Sequence, residues 1–425
     1  MTSTADRCGC PESRDVQRGL SRRGFLKGVG VAAAASALPM TSLRAAYAAD
    51  HTGDVLVVLS LRGGMDGLSL VAPVGDPDYA RLRPTLAVPA TLGLPTGDRM
   101  FALHPGLAAV KPLWDAGLLG AVHAVGSPDG SRSHFQATEE LERSAPGTSV
   151  RTGWLDRVLG TRGTGTVFQA VHVGSGSAPP LLGGPAPELA MVGLKEFTLS
   201  QADRVGPRMA TALAALHTGV DSPAVPAARA TLAALQATAD VRAATPAPLN
   251  GAVYPATEIG RALSDVARLI RAGGGLQAAT VDLGDWDMHS GLGRAESGWM
   301  RDKAVELATA LAAFAQDLGP LLQKTCLVTM SEFGRRAREN GSGGVDHGYG
   351  NAVLVLGGGI IGGKVHGRWP GLASATLDHG DLAGTTDYRS LVGELLVART
   401  GLSTAALPQI FPGHTGQTIG VARPA

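Results

Sequence analysis

The chain has 425 residues, 44% of them hydrophobic and 17% charged, with a formal net charge of +1; it is long enough to bury a large core. Residues 1–48 read as an export leader, and the remainder holds 30 Lys/Arg and 33 Asp/Glu, a charge near −3. That balance excludes a general nucleic-acid binder, which needs a basic excess.

The first element is the leader itself. Its basic zone carries Arg14, Arg18, Arg22, Arg23 and Lys27, residues 28–40 are small and apolar, and Ala46-Tyr47-Ala48 is an A-x-A cleavage site. The apolar zone is shorter than the roughly 20 residues a spanning helix needs. Ser-Arg-Arg-Gly-Phe-Leu-Lys at 21–27 resembles the twin-arginine export pattern over seven consecutive positions, with Arg22 and Arg23 as the signal pair. The expectation is a protein carried already folded by the twin-arginine translocase to the periplasm or beyond, with no transmembrane segment in the mature chain. Cys8 and Cys10 leave with the leader, so Cys326 has no internal disulfide partner. Its setting, Thr-Cys-Leu-Val-Thr-Met, is that of an inert buried strand thiol.

Beyond the leader, apolar runs at 55–61, 119–125, 167–173, 278–283, 326–330 and 352–356 predict buried strands. Helical patterns at 104–116, 134–143, 227–244, 257–272, 299–318 and 388–400 fall between them, and Pro226 suits a helix start. Strands alternating with helices argue for an α/β fold, a three-layer α/β/α sandwich around a mostly parallel sheet. The expected layout is one domain over 49–425 with a Pro-, Ala- and Gly-rich helical insertion at about 174–256.

In open α/β sheets, sites form beyond the carboxyl ends of the strands. Here the strands run into Arg62-Gly-Gly-Met-Asp66, Ser127 to His134, Gly284-Asp285-Trp-Asp287-Met-His289 and Ser331-Glu332-Phe333-Gly-Arg335-Arg336, and a Gly-rich loop at 339–350 holds Asp346 and His347. Carboxylates and imidazoles gathered on one edge supply the O and N ligands of a divalent metal. Each has a plainer reading. Asp66 suits a self-bonding turn, Asp285 and His289 a surface pair, and Glu332 a surface partner for Arg335 or Arg336. Ser133 with Gln136 forms a capping box, which is compatible with a nucleophile at a helix start. His104, His123 and His172 sit in structural patterns, and Asp378-His379 ranks below Asp346-His347. No Gly-x-Ser-x-Gly elbow surrounds Ser131 or Ser133, and the glycines at 357–359 and 362–363 lack a following helix.

Leu-Arg-Gly-Gly-Met-Asp-Gly, Ser-Arg-Ser-His-Phe, Trp-Asp-Met-His, Thr-Met-Ser-Glu-Phe-Gly-Arg, Asp-His-Gly-Tyr-Gly-Asn and Gly-Arg-Trp-Pro-Gly-Leu together resemble the secreted bacterial family catalogued as domain of unknown function 1501, from about Asp54 to Phe411. That family is distantly similar to the alkaline phosphatase and sulfatase superfamily. The resemblance implies hydrolysis of phosphate or sulfate esters, a small molecule or a glycan, with a divalent ion (Zn, Mn or Ca). It implies Asp66, Asp285, His289, Glu332 and His347 as ligands. The nucleophile is Ser133 or Ser131, or an activated water, and Arg132 or Arg335 clamps the anion. The sequence departs at Phe333, where the superfamily pattern expects a ligand; unless Asp287 or Asp346 substitutes, a second metal site is incomplete. The alternative is a non-catalytic exported protein that binds a glycan or envelope partner.

Overall fold

The computed structural model describes residues 54–162, 168–200, 205–222, 224–244, 248–273 and 275–424; the leader, Arg22 and Arg23 included, lies outside the described residues. The first strand, β1 (Val55–Leu61), is buried from Leu56 onward, so it needs cover on both faces. Three short strands follow, β2 (Val71–Ala72), β3 (Leu94–Pro95) and β4 (Ala102–Leu103), and pair among themselves. Next come β5 (Leu119–Gly126), β6 (Ala170–Val173), β7 (Leu189–Met191), β8 (Ala278–Leu283), β9 (Thr325–Met330), β10 (Asn351–Gly357), β11 (Val365–His366) and β12 (Thr386–Asp387). These and β1 form one sheet in the order β11-β5-β10-β9-β1-β8-β6-β7, with β12 also on β5.

Every pairing in this sheet is parallel except those of β10, which runs antiparallel to both β9 and β5. The single reversal has a consequence for the site. The carboxyl end of β9 and the amino end of β10 lie on the same edge, so the whole 331–350 connection stays beside the loops that follow β1, β5 and β8.

The longer helices are α1 (His134–Arg143), α2 (Trp154–Gly160), α3 (Gly206–Leu216), α4 (Ala224–Ala244), α5 (Glu258–Ala272), α6 (Trp299–Leu318) and α7 (Tyr388–Thr400). One sheet face, presenting Leu56, Val58, Cys326, Val328 and Val355, packs on Trp154 and Leu155 of α2 and on Leu391 and Leu395 of α7. The alternate residues, Val57, Leu59, Ala279 and Val281, are also buried, because period-two alternation turns them to the other face. There α5 lies on β8 and β6, and α6 packs on α5. This is the expected three-layer α/β/α sandwich. Cys326 is buried, and burial pushes its thiol up to about 12, which keeps it protonated.

The structure adds detail to the expected layout. The 174–256 stretch is not wholly helical, because β7 within it extends the sheet in parallel beside β6; three residues among prolines and glycines are too few to show a periodicity. The described chain also divides into a small unit, Thr198–Gln236, holding α3 and the start of α4, and a larger one built on the sheet. The segment Trp299–Lys324 does pass the length and composition test for a membrane span, against the expectation of none. Over half of its apolar window (56%) is buried in the fold, as for a core helix.

Candidate metal centre

The loops after β5, β8 and β9 bring His134, Asp287, His289 and His347 together. Asp287 is the hub. Its Oδ1 lies 3.0 Å from His289 Nε2 and 3.2 Å from His347 Nε2, and the two Nε2 atoms are 2.9 Å apart. Its Oδ2 lies 3.5 Å from Nε2 of His134. The ligand atoms of His134, Asp287 and His347 all fall within 4.8 Å of one another.

The other ring nitrogen of each histidine faces an acceptor. His134 Nδ1 is 2.7 Å from Glu332 Oε1, His289 Nδ1 is 3.1 Å from Asp346 Oδ1, and His347 Nδ1 is 2.8 Å from the carbonyl of Arg132. A carboxylate or carbonyl can only accept, so Nδ1 of each ring is the donor in these contacts and Nε2 is left to face the cluster. The Nε2 atoms of His289 and His347 thus meet at Asp287 Oδ1, where Arg335 Nη2 also donates, and His134 Nε2 approaches Oδ2. Metal-binding histidines are oriented by outer acceptors in this way.

The electrostatics agree. Burial acts to raise the Asp287 carboxyl, but the Arg335 hydrogen bond and charge, helped by His347 and His289, win and hold it down at about 2. Burial lowers the pKa of His347 against the raising effect of its bonds to the Arg132 carbonyl and Asp287, and the Arg335 and His134 charges add to the lowering. The bond from His289 lowers the carboxyl of Asp346.

Several residues expected at the site have other roles. Asp66 is buried and forms a two-pronged pair with Arg83, at 2.5 and 2.9 Å, while Ser69 donates to it; it is committed away from the cluster. Asp285 is exposed, at φ +66°, and the ligand-facing carboxylate is Asp287 two residues on. Glu332 does not face the lone-pair cluster directly. It accepts from the backbone N–H of Gly63 and orients His134. Arg335 is buried, and its donors are spent on the carbonyls of Gly63, Gly64, Val345 and Trp286 and on Asp287, so it ties loops together rather than clamping an anion. Arg132 pairs through its side chain with Asp381 and holds His347 with its carbonyl.

Ser133 occupies the N-cap of α1 without a side-chain cap bond, so the capping box does not form. Ser131 Oγ accepts from Ser133 N, and neither hydroxyl bonds to the His/Asp cluster. The sequence reading missed His134. Its signal was its place as the first residue of a helix directly after a strand-end loop. Phe333 packs against the rings of His134 and His347, with centroids 4.9 and 4.7 Å away, and walls the centre instead of ligating in it. Gly63, at φ +113°, lets the β1 loop approach, since a Cβ there would lie 2.8 Å from the backbone nitrogen of Asp287.

A central, mostly parallel sheet between helical layers, with an Asp/His cluster beyond the strand ends, defines an α/β protein with a candidate metal centre. Residues 114–393 match the family described as "Protein of unknown function (DUF1501)", and the chain belongs to that family. No curated protein matches the sequence. Among solved structures, it is similar to the C-terminal periplasmic domain of EcEptC from Escherichia coli, in complex with Zn (10% identity, 72% of this chain and 73% of that one, TM-score 0.33). It is also similar to the lipoteichoic acid synthase LtaP from Listeria monocytogenes (9%, 86% and 81%, TM-score 0.32). A third similarity is to alkaline phosphatase from the Antarctic bacterium TAB5 (10%, 86% and 100%, TM-score 0.29).

Proposed function

We propose that this chain is an exported, metal-dependent hydrolase of phosphate or sulfate esters, whose metal is held by Asp287, His289 and His347, which leaves a position open for the ester or a water. One observation carries the metal reading: three imidazoles, each with an acceptor at Nδ1, turn Nε2 toward Asp287, and those of His289 and His347 also meet each other. Nε2 atoms 2.9 to 3.2 Å from one another and from Asp287 Oδ1 share either a proton or a metal ion, and the acceptors at each Nδ1 suit the metal. Three nitrogens and one carboxylate oxygen suit zinc first and manganese next, and they disfavour calcium, which takes oxygen ligands.

A bound zinc would supply Lewis-acid polarisation of the ester and a more acidic attacking water. The chain's residues do the rest. Asp287 offsets cationic charge, while Glu332, Asp346 and the Arg132 carbonyl keep each ring in the ligating tautomer. Phe333 shields one side from water. Neither Ser131 nor Ser133 contacts a base, which favours water over a serine as the attacker. The ester class rests on the likeness of the loop motifs to the alkaline phosphatase and sulfatase superfamily.

The folded mature protein should turn over nitrophenyl phosphate, bis-nitrophenyl phosphate or nitrophenyl sulfate with zinc or manganese, and lose the activity on chelation and in His289→Ala. Folded protein inert toward all three with zinc, manganese and calcium would contradict the hydrolase. It would favour the second reading, an exported binding protein, which has its own support: four protein ligands with His134 included would close a tetrahedral shell, as in non-catalytic zinc sites. Export by the twin-arginine route rests on the leader. Replacing Arg22 and Arg23 by Lys should hold the precursor in the cytoplasm, and unchanged export would refute that route.

A further inference from the structure

Beside the metal centre lie two arginines that share one carboxylate. Arg132 reaches Asp381 Oδ2 through Nε at 3.1 Å and through Nη2, and Arg336 Nε lies 3.4 Å from Asp381 Oδ1. Asp381 is wholly buried, whereas the side chains of Arg132 and Arg336 are 40% and 38% exposed. Arg336 Nη1 donates to the carbonyl of His379 at 2.6 Å. Arg132 Nη1 and Arg336 Nη2 have no hydrogen-bond acceptor among the described residues.

Both arginines are rooted in the ligand loops. The Arg132 carbonyl holds His347, and the Arg336 N–H donates to the carbonyl of Asp346 at 2.9 Å. Of the two carboxylates beside these guanidinium groups, only the buried Asp381 pairs with them. The nearby Asp378 is turned to His379, 3.7 Å away. Half-exposed guanidinium groups, Arg132 hydrogen-bonded to Asp381 and Arg336 to the His379 carbonyl, keep further N–H groups for the oxygens of a carboxylate, sulfate or phosphate.

We propose that Arg132 and Arg336, held by the buried Asp381, form an anion subsite that takes a second, non-reacting anionic group of the ester. The favoured substrate therefore carries two anionic groups, one at the metal and one on this rim. Asp381 is a positioning residue and does not touch the ligand. The inference rests on the ester reading above for the first anion, while the rim geometry stands by itself.

The test is calorimetric and needs no turnover. Zinc-loaded protein is titrated with phenylphosphonate and with 4-carboxyphenylphosphonate, which differ by one anionic group. The added carboxylate should tighten binding about tenfold through charge-assisted bonds, with the advantage shrinking in high salt. Arg336→Ala, at a half-exposed position, should bring the ratio of the two Kd values near one, and Asp381→Asn should lower it in between. Equal Kd values in the wild type, or an undiminished ratio in Arg336→Ala and Arg132→Ala alike, would overturn the subsite. If neither phosphonate binds, the subsite falls together with the ester reading. The zinc content of the same samples shows separately whether the metal reading survives.

Discussion

At the scale of single residues, Asp285 and Asp287 differ by their contacts and not by their chemistry. In the loop after β8, Trp286 and Met288 are buried, whereas Asp285 and Asp287 are exposed. Only Asp287 meets Arg335 and the imidazoles. Asp287→Asn should therefore weaken zinc binding at least about 100-fold, since it strips charge from the ligand shell, and Asp285→Asn should leave it within about threefold, as expected for an exposed residue with no site contact. Competition with a chromophoric chelator measures both. Equal losses in the two variants would return the ligand role to Asp285. The other decisive pair is Asp66 with Arg83. Asp66→Asn leaves a buried guanidinium without its counter-charge and should cost about 3–5 kcal/mol in urea denaturation. Burial opposes ionisation of Asp66, but Arg83 and Ser69 prevail and lower its pKa. Its stabilisation is thus complete above the unfolded value and is lost as pH falls through the lower folded value.

At the scale of elements, the sequence pattern was readable wherever a run was long. Strands 55–61 and 278–283 and helices 134–143, 299–318 and 388–400 fall where periodicity puts them. The two- and three-residue strands β7, β11 and β12 were not readable, because pairing with a neighbour, not periodicity, makes them strands. The same limit applies to the site. Local motifs pointed to the loops that lie together and, within them, to His289 and His347, which touch each other. Whether Asp66 would turn to Arg83, or Arg335 be buried among four carbonyls, depends on partners far away in sequence. Helix α1 offers a direct check. A bonded N-cap serine is worth about 1 kcal/mol, yet Ser133 makes no such bond. Ser133→Ala should therefore cost less than about 0.5 kcal/mol in a denaturation midpoint. A loss near 1 kcal/mol or above would show that the capping box forms in solution.

At the scale of the whole molecule, the reversed strand β10 and the β1 loop make the centre depend on the complete sheet, since its groups come from residues 134, 287, 289 and 347. Such a centre cannot assemble before the chain folds, which suits a route that exports folded proteins. Global stability should also fall as the solution is acidified. Burial lowers His104 and His123 from 6.5 to about 4 each. Between these values the unfolded chain takes up the protons first, so stability drops by up to about 1.4 kcal/mol per pH unit for each histidine. Guanidinium midpoints should decline steadily from pH 6.5 to 4.5, and a flat profile would mean that these rings are accessible to protonation in the fold.

The central claim is that His134, Asp287, His289 and His347 form a metal site, and elemental analysis of the purified, folded protein after zinc exposure and dialysis tests it most directly. The expected result is close to one zinc per chain in the wild type and a clear loss in His289→Ala and Asp287→Asn of unchanged fold. A folded wild type that retains no metal, or variants that retain as much as the wild type, would contradict the claim.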